Sequence, residues 1–314
     1  MSKFSKKSNK ISSDLIVRKN LFKRNFKNKN SKKECDLIFS YNIEKSLLND
    51  FLSSVKIFVI SCLNFKNKRV SQNTKWSKIL KEISLNRPPN ITHNGLFVPK
   101  KEISLEYNLM LTSFINLLKK LNLGHKIKYF IGPPQLRIKF GNKKKKFMPN
   151  SSEYLHSDAW TQINTKSCST LFLPLVGDYK KNYVEFFYPK NNYNDQWLDK
   201  RYFMDGKNMI NYYKKLNLQY TTKKCLIADS SILHQSVTKN NCQARLSMDI
   251  GLIPFNFKSK NYSNHSNHVP YEIIEKIGKD KIMIYKDSIE KKIKKTKVGT
   301  NTQANRQILS LDQQ

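Results

Sequence analysis

His156 and Asp158 stand two residues apart in the stretch Glu-Tyr-Leu-His-Ser-Asp-Ala-Trp, residues 153–160. On a strand, positions i and i+2 face the same way, so this imidazole and carboxylate can reach one cation. The aromatic and β-branched residues downstream predict such a strand. A third ligand is available at His234, in Leu-His-Gln-Ser-Val. Two imidazoles and one carboxylate on one side of an ion leave the opposite positions open, the ligand set of a non-haem Fe(II) site. Eleven residues beyond His234 comes Arg245, followed two positions later by Ser247. The guanidinium fork suits a carboxylate, and a serine on the same face adds a hydroxyl donor.

These residues need elements to hold them. Over 244–253 the alternation predicts a strand with Arg245, Ser247 and Asp249 on one face and Leu246, Met248 and Ile250 on the other. Three successive polar positions exclude an ordinary core face and leave either solvent or a polar cavity. Strands are also predicted over 127–131, 135–140, 168–176, 183–188, 216–221, 225–228 and 232–237, with Gly132-Pro-Pro and Gly177-Asp178 as turns. Eight or so short strands separated by turns imply a sandwich or barrel, of which the double-sheet jelly roll is one form. The residues 191–203, polar and aromatic, read as an inserted loop near a mouth. Upstream, 43–65, 76–85 and 104–121 carry helical periodicity, so a helical layer should pack on the sheets. The fold class is therefore mainly β with flanking helices. Along the chain this divides into a basic, disordered arm (1–34), a helical layer (35–126), a sheet core (127–256) and a basic extension (257–314). Residues 35–256 form one domain, and 271–295 carry a basic helix.

Taken in order, His156-x-Asp158, His234 and Arg245-x-Ser247 resemble the iron(II)/2-oxoglutarate-dependent dioxygenase superfamily. Pro134-Gln-Leu-Arg137, Leu155-His-Ser-Asp-Ala-Trp160, Ser231-Ile-Leu-His234 and Arg245-Leu-Ser-Met-Asp249 look like the bacterial oxygenases of carbohydrate gene clusters. Those enzymes are relatives of the streptomycin-biosynthesis and phytanoyl-CoA-type dioxygenases. The likeness spans residues 127–254 and implies a double-stranded β-helix (jelly roll). It further implies Fe(II) on His156, Asp158 and His234, with Arg245 and Ser247 on the distal carboxylate of 2-oxoglutarate, and O2 as oxidant. Related halogenases lack the carboxylate ligand, so Asp158 implies hydroxylation. The nucleic-acid demethylase branch carries a second Arg six residues after the first, and here that position is Gly251. A small-molecule or carbohydrate substrate follows.

Three further residues are candidates for contact with substrate or with the ligands. Arg137 lies on a strand and could face the cavity or solvent, while Trp160 and Gln162 continue the face of His156 and Asp158, with a plain structural role as the other reading of Trp160. Asp249 acquires no role from the resemblance. His93, His125, His265 and His268 stand outside the pattern, and the last two read as a solvated loop because no acidic or cysteine partner is near.

The chain has 58 Lys and Arg against 23 Asp and Glu, a formal charge of +35. Such a field draws nucleic acid, anionic membranes or anionic substrates. The lysines are spread along the chain, however, and accompany many Asn and Ile, as a bias toward AT-rich codons would produce. The run Lys143–Lys146 is either a solvated loop or a handle for an anionic substrate. Five cysteines with no C-x-x-C pair imply a reducing, cytoplasmic setting. No apolar core follows the N-terminal charges as a secretory signal requires, and no membrane span is expected. Two other function classes use the same features. A zinc hydrolase could take the three metal ligands but leaves Arg245 and Ser247 without a task. A basic nucleic-acid-binding protein with a degenerate oxygenase core would use the charge instead.

Overall fold

The computed structural model describes residues 11–64, 70–92, 94–141, 151–161, 168–219, 221–256, 268–277, 279, 281–285 and 306–310. Two antiparallel sheets face each other across a cavity, forming a double-stranded β-helix. In the larger sheet the strands run β1 (Ser31–Cys35), β2 (Ile38–Asn42), β8 (Lys224–Asp229), β5 (Ser169–Gly177), β10 (Arg245–Pro254), β3 (Ile127–Ile131) and β11 (His268–Pro270). A further strand, β4 (Leu136–Lys139), pairs with the first half of β10, with Arg245 opposite Lys139 and Ser247 opposite Arg137. The smaller sheet runs β7 (Tyr213–Lys215), β6 (Asn182–Pro189), β9 (Leu233–Thr238).

The strand β10 is the spine of the larger sheet because both its edges are paired, to β5 on one side and to β3 and β4 on the other. Its alternation is the predicted one. Leu246, Met248, Ile250 and Leu252 join the main core, while Arg245, Asp249 and Gly251 line the cavity. Helices α2 (Lys45–Asn64) and α4 (Ser104–Lys120) cover the opposite face of that sheet. Phe51 packs on Phe114, Phe58 on Tyr107, and Phe114 on Phe130 of β3, with ring centroids 5.4–6.3 Å apart. Each such buried ring contributes roughly 1.5–3 kcal/mol. The helix α2 is long and apolar enough to cross a membrane by length and composition alone, and half of that window is buried in the core. Helix α3 (Trp76–Leu85) buries Ile79, Leu80 and Ile83 on one face.

Several expectations are corrected. Residues 13–26 are not a disordered arm but the helix α1, capped by the Ser12 hydroxyl on the Leu15 N–H. Leu15, Arg18, Phe22 and Phe26 lie on its buried stripe. A stripe that includes an arginine, in a segment crowded with Lys and Asn, does not stand out by hydrophobicity. The hairpin β1–β2 was not expected either, and it extends the larger sheet through β2 and β8, so the layer before residue 127 is not purely helical. No strand occupies 216–219, whose place is taken by the three-residue β7. Among the described residues of 271–295, the expected basic helix is found only as α5 (Tyr271–Glu275), followed by β12 (Lys281–Tyr285) paired with β13 (Arg306–Ser310). Residues 278, 280 and 286–295 of that range, residues 1–10, Lys143–Lys146, Gln162, His93 and His265 lie outside the described residues. His268 is not in a loop but on β11, its ring 6.2 Å from Tyr129.

Candidate metal centre

His156 and His234 are brought together by backbone hydrogen bonding. The His156 N–H donates to the His234 carbonyl at 2.9 Å, and the His234 N–H donates back at 2.8 Å. Residues that exchange both bonds sit directly opposite each other with side chains on one face. Ser236 N–H donates to the Ser152 carbonyl at 2.7 Å, which ties the turn preceding His156 to β9. The strand predicted over 153–160 is thereby corrected. It is reduced to this bridge at His156, and Asp158 already begins a 3-10 turn, Asp158–Thr161. The turn still delivers the carboxylate. Asp158 Oδ1 lies 3.8 Å from His156 Nε2 and 3.6 Å from His234 Nε2. All three ligand atoms fall within 4.8 Å of one another.

The protonation states suit a cation. The Tyr154 carbonyl, 2.7 Å from His156 Nδ1, requires the proton there and leaves Nε2 as the free donor atom. Burial, aided by His234, pushes His156 down to about 3, so its ring is neutral. Burial acts on His234 in the same sense, but Asp158 outweighs it and the pKa is raised. For Asp158, burial opposes ionisation, yet His234, His156 and the Thr170 hydroxyl at 2.8 Å hold the carboxyl well below the usual range. Two nitrogen donors and one carboxylate, open on the cavity side, fit a divalent metal with free coordination positions.

The cavity in front of the ligands measures about 360 Å³ and reaches Arg245 on the far wall. Arg245 is 1 % exposed, donates from Nη1 to Ser247 Oγ at 2.9 Å, and rests 5.7 Å from the Phe172 ring and 5.6 Å from that of Tyr179. Its Nε has no hydrogen-bond partner, and no acidic side chain among the described residues pairs with it. A buried guanidinium without a carboxylate is costly unless a ligand supplies one. Sequence reasoning missed Lys139, opposite Arg245 in the β4–β10 register and also lining the cavity. The signal was present, since Lys139 is two residues past Arg137 on the same strand face. Its ammonium bonds to Ser152 and lies 3.7 Å from Glu153; burial lowers its pKa to about 8.

Arg137 lines the cavity with its side chain partly exposed. Trp160 does not continue the ligand face. It is fully buried among Leu155, Phe187, Phe203 and Leu233, and its indole N–H donates to the Trp197 carbonyl at 2.8 Å, a structural role. The loop near the mouth supplies Phe203, stacked on His156 at 3.8 Å between centroids. Gly206 permits this approach, because a Cβ there would lie 1.5 Å from the Leu155 carbonyl oxygen.

The N-terminal helix braces the same site. Arg18 donates from Nε to Asp195 at 2.5 Å and from Nη1 to Asp229 at 3.0 Å and Ser230 Oγ at 3.3 Å. The Ser230 carbonyl accepts from Ser157 Oγ at 2.7 Å, and Ser157 lies between the two ligands His156 and Asp158. Arg18→Ala would leave Asp229, the last residue of β8, buried without its cation. A loss of roughly 3–5 kcal/mol is expected, and urea unfolding monitored by fluorescence would measure it.

No protein-family model matches the sequence, and neither does any curated protein sequence. Among solved structures, the chain is similar to the non-haem α-ketoglutarate-dependent epimerase SnoN from nogalamycin biosynthesis. That match has 11 % identity and a TM-score of 0.41, covering 80 % of this chain and 88 % of that one. The protein EctD from S. alaskensis, solved with 2-oxoglutarate and 5-hydroxyectoine, matches at 10 % identity and a TM-score of 0.36, covering 80 % and 78 %. An N-substituted L-amino acid dioxygenase from Burkholderia ambifaria matches at 12 % and 0.35, covering 70 % and 86 %. Likeness this distant carries no functional weight, which rests with the side chains described above.

Proposed function

We propose that the protein is an Fe(II)/2-oxoglutarate-dependent oxygenase that hydroxylates a small-molecule or sugar-type substrate. One observation supports this reading above the others. The three ligand atoms and the carboxylate-free guanidinium of Arg245 share one cavity. A zinc hydrolase could use the former and has no need of the latter.

His156, Asp158 and His234 would hold the iron, which when bound with the co-substrate and O2 supplies the oxidising chemistry. The chain's own share is binding and exclusion. Arg245, with Ser247 beside it, anchors the distal carboxylate by charge-assisted bonds. Phe172, Phe186 and Phe203 give the cavity an apolar wall that keeps water off the reacting centre. Anaerobic addition of Fe(II) and 2-oxoglutarate should produce the visible metal-to-ligand absorption band of the chelate. A protein that binds neither, or shows no band, is not this kind of enzyme.

Lys139 makes the binding pH-dependent. Its ammonium adds attraction for a carboxylate at Arg245, and that charge is lost as the pH rises through about 8. The affinity for 2-oxoglutarate should therefore fall between pH 7 and 9. Lys139→Met should flatten the profile, as followed by titration calorimetry at each pH. A flat profile in the parent protein would remove Lys139 from the site.

A further inference from the structure

Midway along the cavity wall, between Arg245 and the metal ligands, β4 and β10 present a second polar group. Gln135, Arg137 and Lys139 alternate toward the cavity with the apolar Leu136 and Ile138 turned to the core. The far edge of β4 is pinned by residues 95–97, where the Phe97 N–H donates to Leu136 at 2.9 Å and the Ile138 N–H donates to Gly95 at 2.7 Å. The side chains are thus carried on a strand held from both edges.

On this wall three polar atoms, one each from Gln135, Arg137 and Asp249, are buried and make no hydrogen bond. Gln135 is 7 % exposed, and its Nε2 has no hydrogen-bond partner. Arg137 Nε lies 3.0 Å from Asp249 Oδ2, but its N–H makes no hydrogen bond, and Asp249 Oδ1 has no partner either. Buried polar atoms are overwhelmingly paired, so three on one cavity wall point to a ligand group that pairs them.

The chemistry of that group follows from the count. The wall offers two donors, Gln135 Nε2 and Arg137 Nε, and one acceptor, Asp249 Oδ1. Arg137 and Asp249 cancel in charge. A carboxylate or phosphate would satisfy the donors but meet the free carboxylate oxygen, and an ammonium would satisfy Asp249 but meet Arg137. A hydroxyl accepts two bonds and donates one, so a single oxygen satisfies all three atoms.

We infer that Gln135, Arg137 and Asp249 form the substrate-recognition subsite and that it takes a hydroxyl of a neutral polyol or sugar ring. The proposal rests on the oxygenase reading for the location of the substrate. It departs from the anionic substrate to which the chain's overall charge points. Local charge decides here, because beyond about 8–10 Å the scattered surface lysines are screened by salt. A cavity of about 360 Å³ shared with the co-substrate limits the ligand to about one ring.

The test uses the full chain loaded with Zn(II), a diamagnetic stand-in, and 2-oxoglutarate. Saturation-transfer NMR then compares myo-inositol and methyl α-D-glucopyranoside with glucose 6-phosphate and L-lysine. The two neutral polyols should bind, and Gln135→Leu and Asp249→Asn should each weaken them about tenfold or more. The affinity for 2-oxoglutarate should change less than about twofold in Gln135→Leu. That variant removes an unmatched buried amide, so its Tm should hold or rise, whereas a merely structural glutamine would lower it. The inference is overturned if no polyol binds the parent, if the phosphate or the amino acid binds in preference, or if Gln135→Leu leaves polyol binding unchanged. Loss of 2-oxoglutarate binding in the parent would instead strike the oxygenase reading, and the polyol measurement would still stand.

Discussion

Replacing His156 or His234 by Ala is expected to lower divalent metal affinity by roughly a hundred- to a thousandfold. A structural metal site gains on the order of 10–16 kcal/mol from four ligands, so one ligand accounts for about 3 kcal/mol. Three ligand atoms within 4.8 Å leave no spare donor among the described residues to take the place of a lost imidazole. The two histidines should nevertheless differ in their response to acid. His156 is already neutral because burial lowers its pKa to about 3. Burial acts on His234 in the same direction, but Asp158 raises its pKa above the ordinary histidine value, so protons compete with the metal for His234 at higher pH than for His156. Metal affinity should therefore be full at alkaline pH and fall as the pH drops, by roughly tenfold per unit once His234 is protonated. Competition with a fluorescent chelator across pH 6–8 would show both effects. Wild-type metal stoichiometry and affinity in both variants would dismiss the site.

How far the site could be read from the chain depended on which periodicity carried each residue. On β10 the alternation of Arg245, Ser247 and Asp249 with Leu246, Met248 and Ile250 is a clean period of two, because one face meets the core and the other a polar cavity. The ligand pair His156 and Asp158 was legible as a pattern but for the wrong reason. No continuous strand carries them. A cross-strand bridge to His234 places the first and a 3-10 turn places the second, and long-range hydrogen bonds of that kind leave no local trace. The role of α1 was hidden similarly. Arg18 reads as one basic residue among many, and only the fold brings Asp195 and Asp229 to it from 177 and 211 residues away. The subsite at Gln135 was invisible because an unpaired amide is defined by what fails to surround it. Trp160 was open to two readings, and the structural one holds. Its place in the motif invited a role at the ligands, while its indole bonds to Trp197 and its ring fills the small core beneath the mouth.

Arg245→Ala should raise the dissociation constant for 2-oxoglutarate steeply while leaving metal affinity nearly unchanged. The guanidinium is 1 % exposed, held by Ser247 at 2.9 Å and flanked by the rings of Phe172 and Tyr179. Its environment gives it no anion of its own among the described residues, so the carboxylate that completes it has to come from the ligand. Truncating one partner of a buried, hydrogen-bonded charge pair costs roughly 2–5 kcal/mol, or about thirty- to several-thousandfold in affinity. Ser247→Ala removes one neutral partner and should cost only about 1 kcal/mol. Arg245→Lys keeps the charge but loses the planar fork, and should fall between the two. The ranking separates a carboxylate clamp from a structural arginine. If Arg245 served only to fill the wall between Phe172 and Tyr179, all its substitutions would lower the Tm while the surviving folded protein bound 2-oxoglutarate as before. Measuring the chelate absorption band against 2-oxoglutarate concentration, with the metal held saturating, resolves the two. An Arg245→Ala protein that binds as tightly as the parent would end the carboxylate-clamp assignment.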